Sequence, residues 1–149
     1  MPRLVMPENN SPDKLSIVVF TGDFDKVHYA LVLASGAAAV GKAVTLFFTM
    51  DACHALKKGA ASWRSLPTSR RDGKTGGDMD DGFADAGVAT FEELLSACPE
   101  LGVRFMVCEM GLKAIGLERA DLRDDIPFED GGVVTFVTDA SADGTMLFI

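Results

Sequence analysis

The stretch Leu101-Gly-Val-Arg-Phe-Met-Val-Cys108-Glu-Met-Gly-Leu-Lys-Ala-Ile-Gly116 constrains the fold more than any other part of the chain. Val103 to Val107 is a short run of β-branched and aromatic residues after Gly102, which reads as a buried strand. Glu109 to Ile115 supplies helix formers with an acidic residue in the first turn, which reads as a helix. Cys108 then falls at the turn between a strand's carboxyl end and a helix's amino end. In open α/β sheets that edge is where ligands bind. Unpaired N–H groups at a helix start favour negative charge, so the position predicts a reactive and at least partly exposed thiol. The opposing reading is packing, because free cysteine is also among the most buried residue types.

Two further runs set the architecture. Lys14 to Phe20 is almost continuously apolar, as strands covered on both faces are, and this predicts a parallel sheet between helix layers. Thr21-Gly22-Asp23 is a turn, with Asp23 as the cap of a helix from Phe24 to Val40. Val27, Ala30, Leu31 and Ala34 recur in it at core spacing. Gly41 ends the helix and Ala43 to Thr49 is a second strand, which completes a right-handed βαβ unit. Asp51-Ala-Cys53-His54 then opens a helix on the same sheet edge as Cys108. His54 is a candidate base or hydrogen-bond partner for a thiol, although neighbours along a helix do not face each other.

The rest of the chain is less regular. Residues 1–13, with Pro2, Pro7 and Pro12, read as a flexible arm ahead of a single domain over 14–149. Lys57 to Gly87 is glycine-rich and aperiodic, which predicts a long mobile loop inserted at about 59–88. Within it, Gly76 to Gly82 lacks the ligand spacing of a calcium loop and reads as a solvated acidic loop. Gly73-Lys74-Thr75 lacks the upstream glycine of a phosphate loop. Thr90 and Glu93 form a capping box for a helix expected to end before Pro99, with Cys98 in its last turn read as packing or as an exposed thiol without a role. Glu118 to Asp125 reads as helix or turn. By propensity Gly131 to Ala140 is a strand, and with Thr145 to Ile149 it would make an antiparallel hairpin.

Composition excludes several partners. A net charge of −8 opposes binding to nucleic acid or to an anionic membrane surface. Three cysteines without a CxxC suit a reducing compartment. The amino end lacks the apolar core of a signal peptide, and no apolar stretch is long enough to span a bilayer, so the expected location is cytoplasmic. No residue pattern calls for a cofactor or a metal.

With these runs in place, the chain resembles the DsrE/DsrF-like family of small α/β proteins of sulfur relay. The resemblance rests on Lys14 to Lys26, on Gly36-Ala-Ala-Ala with Gly41 and Val44 to Thr49, and on Leu101-Gly-Val-Arg-Phe with Cys108 and Met110. Gly131-Gly-Val and Phe136 resemble the start of the family's last helix, which makes 131–141 helical against its propensity. The resemblance implies a single-domain three-layer α/β sandwich, flavodoxin-like, with a five-stranded, mainly parallel sheet. It also implies trimers or hexamers and a cysteine that carries sulfur as a persulfide between donor and acceptor proteins, rhodanese-like or carrier proteins among them.

Cys108 falls at the family's cysteine position, with Thr21, Gly22, Asp23, Cys53, His54, Glu109 and Met110 expected to line the site. Two features depart from the family: Asp51-Ala-Cys-His-Ala-Leu replaces an aromatic-rich turn, and the 59–88 insertion is long. In a doubly wound sheet of order 2-1-3, strand 1 would part Cys53 from Cys108 by about 10 Å, two strand spacings. That exceeds the ~7 Å Cα separation of a disulfide and leaves Cys108 as the sole carrier. The competing readings are a module binding a small anion or nucleotide in the same crevice, and a structural subunit of a DsrE-like oligomer.

Overall fold

The computed structural model describes residues 13–59 and 61–149. The expected flexible arm over 1–13 therefore lies outside the described residues, apart from Asp13, whose carbonyl accepts a hydrogen bond from Ala43 N at 2.9 Å.

Three strands follow the apolar runs: β1 (Lys14–Val19), β2 (Ala43–Phe48) and β3 (Arg104–Cys108). Two short edge strands, β4 (Phe128–Gly131) and β5 (Thr145–Phe148), complete the sheet. The helices are α1 (Phe24–Ala39), α2 (Gly76–Asp85), α3 (Phe91–Glu100), α4 (Glu109–Ala114) and α5 (Val133–Asp139). Strand order is β4-β3-β2-β1-β5, and every neighbouring pair is parallel. The order 2-1-3 is thereby corrected: β2 sits between β1 and β3, because the first three crossovers step across the sheet in one direction.

Right-handed crossovers place helices on the face that the direction of travel dictates. The steps β1 to β4 all run one way, so α1 and α3 share a face. There Phe24, Leu31, Phe91 and Leu95 bury against Ile17, Val19, Leu46, Phe48, Phe105 and Val107. The return from β4 to β5 crosses the whole sheet and puts α5 on the opposite face. A second, smaller cluster forms beneath it from Phe47, Met106, Cys108 and Phe136, with Val18 at its margin.

The family-implied helix within 131–141 is present, held by Phe136 N to Gly132 O (3.0 Å) and Ala140 N to Phe136 O (3.0 Å). The hairpin suggested by propensity is absent because β5 pairs in parallel with β1. β4 escaped the sequence reading because Phe-Glu-Asp-Gly has no apolar run.

The inserted segment is not a structureless loop. A 3₁₀ helix at Ser62–Ser65 buries Trp63, whose ring stacks on Phe24 with centroids 5.4 Å apart and lies 4.7 Å from Phe91. The supposed acidic loop is α2, opened by a Thr75–Asp78 capping box. Its first two glycines serve close packing: a Cβ on Gly76 would lie 2.8 Å from the Phe24 ring, and one on Gly77 2.9 Å from Arg64 Nε. Likewise α3 runs through Pro99 rather than ending before it. Burial of Leu94, Leu95 and Cys98 holds that last turn against the local preference of a residue preceding proline.

Candidate functional site

Cys108 is the last residue of β3 and the residue that caps α4. Its Sγ accepts a hydrogen bond from the backbone N–H of Gly111 at 3.4 Å. That geometry depends on glycine, since a Cβ on Gly111 would meet the Thr49 side chain and lie 2.7 Å from Met50 N. The end of β2 thus fixes where α4 begins. Met50, at the turn into the 3₁₀ helix Met50–Leu56, has φ 52, a left-handed conformation that costs a non-glycine residue energy and is often held at functional edges.

The expected exposure of Cys108 is corrected. Its side chain shares a face with Arg104 and Met106, the face under α5, and the residue is 1% exposed. In its cluster Phe47, Met106 and Val18 are strand residues, so Phe136 is the one member contributed from outside the sheet. The Phe136 ring stacks on Phe47 with centroids 4.7 Å apart and planes 14° from parallel. Three residues later the Asp139 carboxylate receives Lys14 Nζ at 3.0 Å, Thr45 Oγ1 at 3.0 Å and Arg104 at 2.5 Å. Burial alone would raise its pKa; the hydrogen bonds from Lys14, Arg104 and Thr45 outweigh this and hold it below the ordinary carboxylate value.

The other expected site residues separate into groups. Thr21, Gly22, Asp23 and His54 do meet, together with Asp51 and Arg71, around a cavity of about 400 Å³ at the carboxyl ends of β1 and β2. Asp23 occupies the cap position of α1 but makes no capping hydrogen bond. Its carboxylate instead faces Arg71 at 3.5 Å. Thr21 Oγ1 is buried and has no hydrogen-bond partner among the described residues. Glu109 and Met110 stand exposed on the first turn of α4, beside Cys108 but outside that cavity.

Cys53 does not line it either; it is fully buried in the main core, in a different cluster from Cys108 and Phe136. Burial chiefly, then the nearby Cys108 and Asp51, pushes its thiol from 9.0 up to about 12. Burial pushes Cys98 up to about 11. Both remain protonated, and poor nucleophiles, near neutral pH.

Sequence reasoning missed Phe136 and Asp139. The alternation in β2 and β3 does place Thr45, Phe47, Arg104, Met106 and Cys108 on one face, but no local signal says which helix covers it. A larger cavity of about 900 Å³, lined by Tyr29, Val32, Phe83, Val88 and Phe148, runs along α1 and involves none of the cysteines. Among the described residues, no group of three or more His, Cys, Asp or Glu side chains could hold a metal ion, and no helix is long and apolar enough to cross a membrane.

Comparison with known proteins agrees with this architecture. The profile of the DsrE/DsrF-like family matches residues 13–145. An uncharacterised protein of Bacillus subtilis, YrkE, is 31% identical over 91% of this chain and 96% of its own. The sulfur carrier protein DsrE2 of Allochromatium vinosum is 27% identical over 91% of this chain and 98% of its own. Two solved structures share the fold at 16% identity, each over 91% of this chain and 98% of the other. They are the ychN protein of E. coli, with a TM-score of 0.54, and MTH1491 from Methanobacterium thermoautotrophicum, a protein of unknown function, with a TM-score of 0.50. A family match over nearly the whole domain, on an all-parallel five-stranded sheet that ends one strand in Cys108, makes this chain a member of the DsrE/DsrF-like family.

Proposed function

We propose that the protein is a sulfur carrier that accepts sulfane sulfur as a persulfide on Cys108 and passes it to a partner protein. Family membership and the relative DsrE2 support a place in sulfur relay. The observation that carries the choice of residue is the junction itself: Cys108 ends β3 with a backbone N–H directed at its sulfur. Such a donor stabilises negative charge as it develops on the atom. Cys53 and Cys98 lack this contact, and their raised pKa values leave little thiolate.

In this reading the Cys108 thiolate attacks the outer sulfur of a donor persulfide. The donor's S–S bond breaks, its thiolate departs, and Cys108 holds the persulfide. An acceptor thiolate then attacks that outer sulfur and releases Cys108 as a thiolate, with no net oxidation or reduction.

The reading includes self-association into trimers or hexamers, which the exposed Tyr29, Val134, Met146 and Phe148 side chains support. The test is intact-mass analysis after exposure to a persulfide donor, followed by peptide mapping. One added sulfur atom on the Cys108 peptide is the expected result; sulfur on another cysteine, or none, refutes the assignment.

A further inference from the structure

A carrier thiol has to meet its partners, yet Cys108 is covered. Its cover is a helix of seven residues, far below the 12–15 at which isolated helices become even marginally stable in water. Gly132 caps α5 without a side-chain hydrogen bond, and Val133, Val134 and Val137 project into solvent. Two points hold the helix down. Phe136 fills the space over Phe47, Met106 and Cys108, and Asp139 is clasped by Lys14, Thr45 and Arg104. Before α5 the sheet ends at Gly131, which pairs with Cys108, and Gly132 follows with open space around it; after α5 the turn Ser141-Ala-Asp-Gly144 is closed by Gly144 N to Ser141 O at 2.9 Å. Segments with few buried apolar contacts open at much lower free energy than the core.

From this arrangement we infer that α5 is a hinged lid over Cys108, with Phe136 as its plug and the Asp139 cluster as its latch. The inference rests on the reading of Cys108 as the sulfur-bearing thiol, and it assigns the access step of that chemistry to one element. In the closed state the sulfur is shielded from solvent and from adventitious thiols. When α5 swings away about Gly132, Phe136 leaves the cluster and the outer face of the sulfur opens, while β3, its pairing with β4, α4 and the Gly111 N–H stay in place.

The experiment measures the rate at which iodoacetamide labels Cys108 in the native protein, followed on the Cys108 peptide by mass spectrometry. The native rate should be at least roughly tenfold below that of the urea-unfolded chain, as local opening must precede reaction. Phe136→Ala should raise the native rate roughly tenfold or more by removing a buried ring, and Phe136→Leu should restore most of the protection. Asp139→Asn should also raise it. Asp81→Asn, which breaks a surface ion pair with Arg64 far from the lid, should not.

Hydrogen exchange on the unmodified protein serves as a second readout, with amides 133–139 exchanging faster than those of α1. An unmodified protein that labels as fast as the unfolded chain, or a folded Phe136→Ala variant that labels no faster than the parent, overturns the lid. Should Phe136→Ala fail to fold, protection of 133–139 equal to that of α1 overturns it. The two readings fail separately: lid-dependent labelling without persulfide loading removes the sulfur carrier and keeps the lid, whereas loading with lid-independent labelling does the reverse.

Discussion

Gly111 and Thr49 approach so closely that a Cβ on the glycine would overlap the threonine side chain and lie 2.7 Å from the backbone nitrogen of Met50. The first turn of α4 is thus wedged against the end of β2, and the N–H of Gly111 reaches Cys108 Sγ as a result. Gly111→Ala should displace α4, cost about 1–3 kcal/mol in denaturant unfolding as overpacking does, and slow persulfide loading of Cys108. Unchanged loading kinetics in a destabilised variant would show that the Gly111 contact is structural only.

Cys108→Ser should abolish the gain of a sulfur atom after donor treatment, while Cys53→Ser should keep it. The adjacency of β2 and β3 removes the separation on which the sequence argument rested, because no strand lies between the two cysteines. The expectation rests on packing rather than on distance across the sheet: Cys53 is buried in the main core, whereas Cys108 belongs to the cluster under Phe136. Equal loss in both variants, or a Cys53–Cys108 disulfide recovered by peptide mapping, would overturn the single-thiol mechanism.

Trp63 pins the inserted segment to the domain through Phe24, Phe91 and a hydrogen bond from Nε1 to Glu92 Oε1 at 2.8 Å. Trp63→Ala should lower stability by about 3–5 kcal/mol, the range for emptying a buried aromatic site. Limited proteolysis within 59–88 should accelerate markedly in the variant. A parent protein already cleaved there as fast as an unfolded chain would contradict the ordered segment.

Alkaline stability follows from the buried thiols. Cys53 holds its proton up to about pH 12 in the folded chain against an ordinary value of 9.0, and Cys98 up to about 11. Raised folded values favour the folded state fully below pH 9.0, and that contribution is lost as pH rises through the folded values. Each unit of difference is worth on the order of 1.4 kcal/mol. Thermal melts from pH 8 upward should therefore fall more steeply for the parent than for Cys53→Ala; parallel curves would remove Cys53 as the cause.

Acid works on Glu92 in the opposite sense. Bidentate hydrogen bonds from Arg123 Nη1 and Nη2, both at 2.9 Å, outweigh burial and, with Trp63, hold its carboxyl below the ordinary value. The stabilisation is complete above the ordinary carboxylate pKa and disappears as pH falls through the lowered one. Glu92→Gln should flatten the acid limb of the stability curve by about 1 kcal/mol or less, as Glu92 is partly solvated. An unchanged acid limb would mean the pair contributes nothing.

What the sequence determined by itself was local. β1, β2 and β3 are legible as continuous apolar runs, α1 as a 3.6-residue repeat, the start of α3 as Thr90 with Glu93, and Cys108 as the residue where a strand turns into a helix. Each signal lies within a few residues, because backbone periodicity and capping are short-range effects. The tertiary structure decided the rest. Strand order placed β2 beside β3; the return crossover laid α5 over Cys108; Trp63 drew an apparently shapeless insertion onto Phe24 and Phe91. Gly76, which reads as a loop residue, proved to be a contact point against Phe24, and Gly111, inside the expected helix, one against Thr49. These outcomes depend on pairs such as Phe47 with Phe136 and Thr45 with Asp139, separated by most of the chain, and burial of that kind leaves no periodic trace in either partner's own neighbourhood.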